Sequence, residues 1–328
     1  GVWRFRTGDD PAWSQWPAPP DSSEAIKMAE AFQRTFHAVP GSEGVIFEGE
    51  AIAPQGDWLL WYRRPAGEWV EALPVGNGRL GAMVFGSVHE ERVQMNEESV
   101  WDGYPRDTTN PKALEALPEV RRLLFEGRNE EAKELAGNAL MGEPQRIKSY
   151  QTLGDLWMTF QKPETVRGYR RMLDLDTGIA AVEYDADGEA IRREAFASAP
   201  DNVLVLRMTT SRAGALHLDL RMTRPQDAQC FSEGEDSLIL RGQIQCEHHE
   251  TGENVGMRFV AHLIALPQGG EMENRDGAIS IRGADEALIL VAAATNYRGG
   301  DPEALCAATL EAARKKPYAA LKADHIAD

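Results

Sequence analysis

Two hydrophobic rhythms alternate along the chain. From Trp58 to about Ser99 the apolar residues come in short runs, DWLLWY, EWVEALPV, GAMVFGSV and ERVQMN, separated by Gly, Asn and a His-Glu pair. Short apolar runs bounded by turn formers predict strands. After Pro111 the spacing lengthens. PKALEALPEVRRLLFEG closes on Gly127, and NEEAKELAGNALMG opens on Asn129, a candidate cap, and closes on Gly142, so two helices are expected. Strand-like runs then return at regular intervals from SYQTLGDLWMTF to EALILVAAAT, with Gly or Asp turns between them. In YDADGEAIRRE the pair Asp187-Gly188 lies between two such runs, the residue types that a tight hairpin with positive φ at both central positions requires. From Pro302 the text is helical again, with Leu305, Leu310 and Ala313 on its apolar side. This cadence predicts a mainly β protein: a large antiparallel β-sandwich with helical inserts and a C-terminal helical linker.

Residues 1–57 read differently. Trp3, Trp13 and Trp16 stand among Pro and Gly-Asp turns, and SEAIKMAEAFQRTFHAV follows, with Ile26, Ala29, Phe32 and Phe36 on one helical face. The expected organisation is an accessory segment at 1–57, the sandwich at 58–300 and the linker at 301–328.

One motif within the strand region invites a different chemistry. In LPVGNGRLG, Gly76, Gly78 and Gly81 have the G-x-G-x-x-G spacing of a dinucleotide loop. That loop works only where a helix opens directly afterwards and aims its N-terminus at the phosphates. Here AMVFGSV follows, whose Val84 and Phe85 favour a strand and whose Gly86 would break a helix. Asn77-Gly78 instead suits a type I′ hairpin turn.

Composition narrows the partners. The 328 residues carry 35 Lys and Arg against 52 Asp and Glu, a net charge of −17, which repels nucleic acid and anionic membrane surfaces over most of the molecule. No run approaches the roughly 20 consecutive apolar residues of a spanning helix, and no basic-then-apolar start suggests a signal peptide. Neither nucleic acid nor membrane is expected as a partner, and localisation is left open. Cys230, Cys246 and Cys306 are too scattered for a disulfide framework. In CEHHE, Cys246 and His248 would share one strand face, but a structural zinc site wants four ligands. DADGE has its glycine too early for a calcium loop. No metal or cofactor is expected, and Arg314, Lys315 and Lys316 suit the negative end of a helix dipole.

Read in order, several blocks resemble the N-terminal domain of glycoside hydrolase family 95, the α-L-fucosidase family: Trp69 to Gly81, QMNEESVWDG, EVRRLL, YQTLGDL, LDLDT, and REAFAS with PDNVLVLRM. The resemblance covers about 58–300. It implies a β-sandwich joined by a linker to an (α/α)6 barrel that supplies the acid and base for inverting hydrolysis of terminal fucose. YAALKADHIAD is similar to the start of that linker. The residues matching the catalytic roles are absent from this text, so no catalytic residue is expected in this chain. Its expected partners are a carbohydrate substrate and its own C-terminal barrel. Two contrasting readings are a sandwich that binds carbohydrate or a partner without catalysis, and the sandwich of a related disaccharide phosphorylase.

Within NEESVWDG, Asn96, Glu97 and Trp101 combine polar groups for sugar hydroxyls with an aromatic face for a sugar ring. They are the candidate substrate contacts, with Tyr150 and Gln151 of YQTLGDL beside them. The plainer reading makes Ser99 to Gly103 a strand-end turn, with Trp101 in the core and the acids in solvent. An isolated sandwich of this kind is also expected to expose an apolar face.

Overall fold

The structure, a computed structural model, describes residues 41–104, 106–145, 147–248 and 250–328. The tryptophans and amphipathic face read within residues 1–40 lie outside the described residues. Contacts divide the chain into two units, one holding the sheets and the other comprising Trp101–Gln151 and Gln243–Met257.

The first strands are β1 (Ile46–Glu48), β2 (Leu59–Tyr62), β3 (Leu73–Gly76), β4 (Leu80–Val84) and β5 (Glu90–Glu97). Two helices follow, α1 (Ala113–Phe125) and α2 (Asn129–Ala139). Then come β6 (Gly154–Phe160), β7 (Thr165–Asp174), β8 (Ile179–Ala186), β9 (Glu189–Ser198), β10 (Val203–Thr210) and β11 (Leu216–Thr223). The remaining strands are β12 (Ala228–Glu233), β13 (Ser237–Gln243), β14 (Arg258–Gln268), β15 (Glu271–Arg275), β16 (Ala278–Ala284) and β17 (Glu286–Thr295). Helices α3 (Pro302–Ala313) and α4 (Tyr318–Ala327) come last.

One sheet runs β1-β7-β8-β9-β10-β17-β14-β13-β12 with β2 also on β7, and the other runs β15-β16-β11-β6-β5-β4-β3. The mainly β sandwich expected from the sequence is what forms. Its strands differ in pattern because their surroundings differ. On β5, Glu91, Val93, Met95 and Glu97 are buried while the residues between them are half-exposed, the alternation of a strand with one solvated face. On β14 and β17 burial is nearly continuous. Val260, Ile264, Leu290 and Ala292 pack with Cys306, Leu310 and Ala313 of α3 and Leu321 of α4, so helices cover this sheet's second face.

Helix α3 starts where Asp301 accepts a hydrogen bond from the Ala304 amide at 3.2 Å, with Pro302 at the first helical position. The basic cluster that follows makes specific ion pairs. Arg314 meets Asp236 at 2.7 Å, and Lys316 meets Asp201 at 2.5 Å and Asp324 at 2.8 Å. Helix α4 is tied to β9: Tyr318 Oη and Lys322 Nζ donate to Glu194 at 2.7 and 2.8 Å.

The turns test the local readings. Asp187 at φ 52° and Gly188 at φ 91° form the two-residue turn expected between β8 and β9, and Asp276 and Gly277 repeat it between β15 and β16. The glycine-rich LPVGNGRLG is a hairpin, as expected, but not a type I′ turn. Its loop has three residues, and only Gly78 takes a positive φ. Asn77 works through its side chain instead: Oδ1 accepts from the amides of Arg79 and Leu80 at 3.0 and 2.7 Å, and Nδ2 donates to Ser198 O at 2.9 Å. Asn129 begins α2 rather than capping it, because Arg128 holds the cap position.

Strand structure begins before residue 58. β1 pairs with β7 in parallel, and Val45 is fully buried among Val88, Val166, Tyr169 and Tyr184. Gly41 O accepts from the amides of His89 and Glu90. A side chain at Gly41, φ 74°, would place Cβ 2.1 Å from Glu90 O, so this approach demands glycine. In the second unit α1 packs on α2 through Val120, Leu123 and Ala132, while Leu114, Leu124 and Phe125 of α1 are exposed.

A charged pair sits between the two sheets. Glu91 of β5 and Arg193 of β9 are 1% and 5% exposed, with Arg193 Nη1 3.2 Å from Glu91 Oε2. Glu91 Oε1 also accepts from the amides of Phe85 and Gly86 at 3.0 and 2.9 Å. The guanidinium lies 5.0 Å from the Phe160 ring centre and 5.5 Å from that of Tyr184. Burial pushes the Glu91 carboxyl up from its ordinary range, against the pull of Arg193 and the two amides.

Removing one member of such a pair strands the other's charge. Arg193→Ala is therefore expected to lower unfolding free energy by about 3–5 kcal/mol in urea titration; a loss below about 1 kcal/mol would contradict the buried pair. Glu194 makes a second expectation. Burial alone would raise its carboxyl, but hydrogen bonds from Lys322, Arg192 and Tyr318 prevail and hold it at about 2. Its contribution is present above the unfolded value near 4.5 and is lost as pH falls from there towards 2, up to about 3 kcal/mol. Glu194→Gln should flatten that acid limb in a stability-against-pH series, and an unchanged limb would exclude this role.

Candidate functional site

β5 ends at the first two candidates. Its alternation turns Glu97 inward, at 1% exposure, and leaves Asn96 half-buried on the other face. Glu97 Oε2 accepts from both the amide and the hydroxyl of Ser99, each at 2.7 Å, and Oε1 lies 3.5 Å from Arg79 Nε. Ser99 Oγ is 2.5 Å from Thr295 Oγ1 at the end of β17, and Arg79 Nη2 donates to Ala293 O at 2.8 Å. The carboxylate thus clamps the turn after β5 to β17, the neighbouring strand of the opposite sheet. Just outside the clamp, Glu98 pairs with Arg298 at 2.6 Å. The reading that put these acids in solvent does not hold for Glu97.

In the second unit, Trp101 and Tyr150 form an isolated antiparallel bridge, and the Asp102 amide donates to Ser149 O at 2.9 Å. The rings meet edge to face, 5.2 Å apart at 62°. Trp101 is 38% exposed and Tyr150 40%, so Trp101 is not the core residue that the plainer reading made it. Gln151 follows and is half-buried. Paired aromatic rings open to solvent offer C–H-rich sugar faces a surface, and an amide such as that of Gln151, next in sequence, suits hydroxyls.

Residues of CEHHE serve packing in the same unit. Cys246 is buried, and burial together with nearby Asp102 raises its thiol. Asp102 also lies 3.7 Å from Lys148 Nζ. The His248 ring lies against Tyr104 at 4.9 Å. Among the described residues, no three His, Cys, Asp or Glu side chains converge as a metal site.

Sequence reasoning missed Arg79, Ser99 and Thr295, which hold Glu97. Arg79 and Ser99 stood in view within motifs read for other purposes; Thr295 lies 196 positions from Ser99 and carries no local signal. It also missed a depression of about 430 Å³ on the first unit, lined by Arg167, Arg170, Glu183, Arg192, Thr209 and Ser211 among others. None of the sequence candidates lines it.

The N-terminal domain of glycosyl hydrolase family 65 matches residues 60–300. The chain belongs to that family. Alpha-L-fucosidase 2 of Arabidopsis thaliana is 33% identical over 297 residues, covering 82% of this chain and 35% of the relative. Probable alpha-fucosidase A of Aspergillus niger is 31% identical over 287 residues, covering 78% of this chain and 34% of the relative. The protein of the same name in Aspergillus oryzae is 25% identical over 281 residues, with coverages of 79% and 38%. The chain spans about a third of the length of these curated relatives. A glycoside hydrolase N-terminal sandwich is the level at which sequence pattern, fold and relatives agree.

The two parts of the candidate set should respond differently to mutation. Glu97→Ala leaves the Ser99 amide without its acceptor and Arg79 without its ion-pair partner, and is expected to cost about 2 kcal/mol of stability. Trp101→Ala, at a half-exposed position, is expected to cost less than about 1 kcal/mol. Urea denaturation of both variants checks this, and equal losses would remove the distinction.

Proposed function

We propose that this chain is the N-terminal domain of an inverting α-L-fucosidase of glycoside hydrolase family 95, acting on terminal fucose of oligosaccharides or glycans. The observation that carries the reading is the 33% identity, sustained over 297 residues, to a relative named an alpha-L-fucosidase. Inversion needs a protonated acid and a base roughly 6.5–9.5 Å apart across the sugar. Glu97 is a poor candidate for either, since it is engaged by Ser99 and Arg79 in a buried turn. The catalytic pair is assigned to a helical barrel belonging to the same longer polypeptide.

In this reading Trp101 and Tyr150 offer the sugar an aromatic surface and Gln151 a polar contact, while Asn96 and Glu97 belong to the first unit, where Glu97 holds the turn at Ser99. A second reading is the sandwich of a related disaccharide phosphorylase. A non-catalytic carbohydrate-binding module is the third.

Fucose release from a fucosylated oligosaccharide, measured with and without inorganic phosphate, separates them. The longer polypeptide containing these residues is expected to release fucose without phosphate, and the 328-residue chain alone to release none. Trp101→Ala in the longer protein should lower kcat/KM about tenfold, near 1.4 kcal/mol of transition-state binding. Cleavage of a disaccharide only when phosphate is present would select the phosphorylase, and carbohydrate binding without turnover the module.

A further inference from the structure

β14 carries a histidine whose surroundings are unusual. Val260 and Ile264 face α3, packing in one cluster with Cys306, Leu310 and Ala313. His262, between them in the same alternation, is only 6% exposed, and neither Nδ1 nor Nε2 has a hydrogen-bond partner. A neutral imidazole has one donor and one acceptor, so burying both unused is costly. Such a group calls for a role.

The charges facing the ring are mostly acidic. Glu233 at the end of β12 has Oε2 3.8 Å from Nε2. Asp236, in the β12–β13 turn, and Glu303, in the first turn of α3, also act on the ring electrostatically. The basic groups nearby are already committed: Arg241 of β13 pairs with Glu303, and Arg314 at the end of α3 pairs with Asp236. From β17, the residue opposite His262 is Ala292, which cannot titrate.

We infer that His262 is a proton-sensitive latch that keeps α3 and the edge strand β12 seated on the sheet while its ring is neutral. Acid presents the ring with a choice. A proton added to the closed pocket places a cation away from water with its nearest carboxylate, Glu233, at 3.8 Å and still beyond hydrogen-bond distance, whereas opening the pocket hydrates it. Burial outweighs the three carboxylates and lowers the ring below its ordinary 6.5. Stability from the closed pocket is therefore present above pH 6.5 and is lost as pH falls towards the folded-state value. The step involves proton binding alone and needs no co-reactant.

Amide hydrogen exchange of the 328-residue chain, corrected for intrinsic rates, tests the latch between pH 7.5 and 5.5. Protection of α3 and β12 is expected to fall up to about tenfold per pH unit below 6.5, while β5 stays protected. His262→Phe, which keeps the volume and removes the titration, should abolish the fall. An NMR titration of the wild-type ring should show a midpoint below 6.5, and Glu233→Gln should lower it further. A ring midpoint at or above 6.5 would overturn the inference, as would a His262→Phe variant that loosens like the wild type. Should His262→Phe fail to fold, the ring titration alone decides.

Discussion

The constraint on which the rest of the sandwich depends is a charge buried between its sheets. Glu91 and Arg193 are removed from water where solvation by either partner alone would be inadequate. The chain compensates by converging on them. Phe85 and Gly86 turn their amides to Glu91, and the Tyr169 hydroxyl donates to Gly86 O at 2.6 Å, fixing the same loop from the opposite sheet. The guanidinium lies within 5.5 Å of the ring centres of both Phe160 and Tyr184. The segment from Gly41 to Val45 then packs over the loop, with Ser42 Oγ accepting from the Val88 amide. Breaking a buried pair of this kind is costly because it leaves one charge uncompensated.

β5 carries a second inward-facing acid at its far end. Glu91 and Glu97 lie six residues apart on one strand, and an even separation puts both on the inward face. A slip of one residue would turn both carboxylates outward and leave Arg193 and Arg79 without their partners. The two acids therefore fix the register of β5 at its two ends. Glu97 passes that register on to the turn at Ser99. Glu97, which looked chemical in the sequence, is thus doing mechanical duty.

What was legible in the sequence follows from the range of each interaction. Strand alternation, the two inserted helices and the Asp187-Gly188 turn depend on neighbours a few positions away, and they could be read. The Asn77 turn was read only in part, because the side chain's bond to Ser198 reaches 121 positions along the chain. The start of the sandwich was expected at 58, since β1 has only three residues and no alternation long enough to notice. Glu97 was singled out for chemistry because a carboxylate beside an asparagine and a tryptophan suits sugars; its burial depends on Arg79 and Thr295, which no local pattern connects to it. Trp101 and Tyr150 were chosen for their residue types, and the fold brings their rings together.

Family membership and the fold describe a scaffold whose strands are held by polar contacts across the sheets rather than by apolar packing alone. The double-mutant cycle on Glu91 and Arg193 examines this most directly: unfolding free energies of Glu91→Leu, Arg193→Met and the combined variant. A coupling of about 2 kcal/mol or more, with the double variant more stable than the less stable single one, is the result predicted. Losses that add to within about 0.5 kcal/mol would show that the pair does not act as a unit and that β5 is held in register by other means.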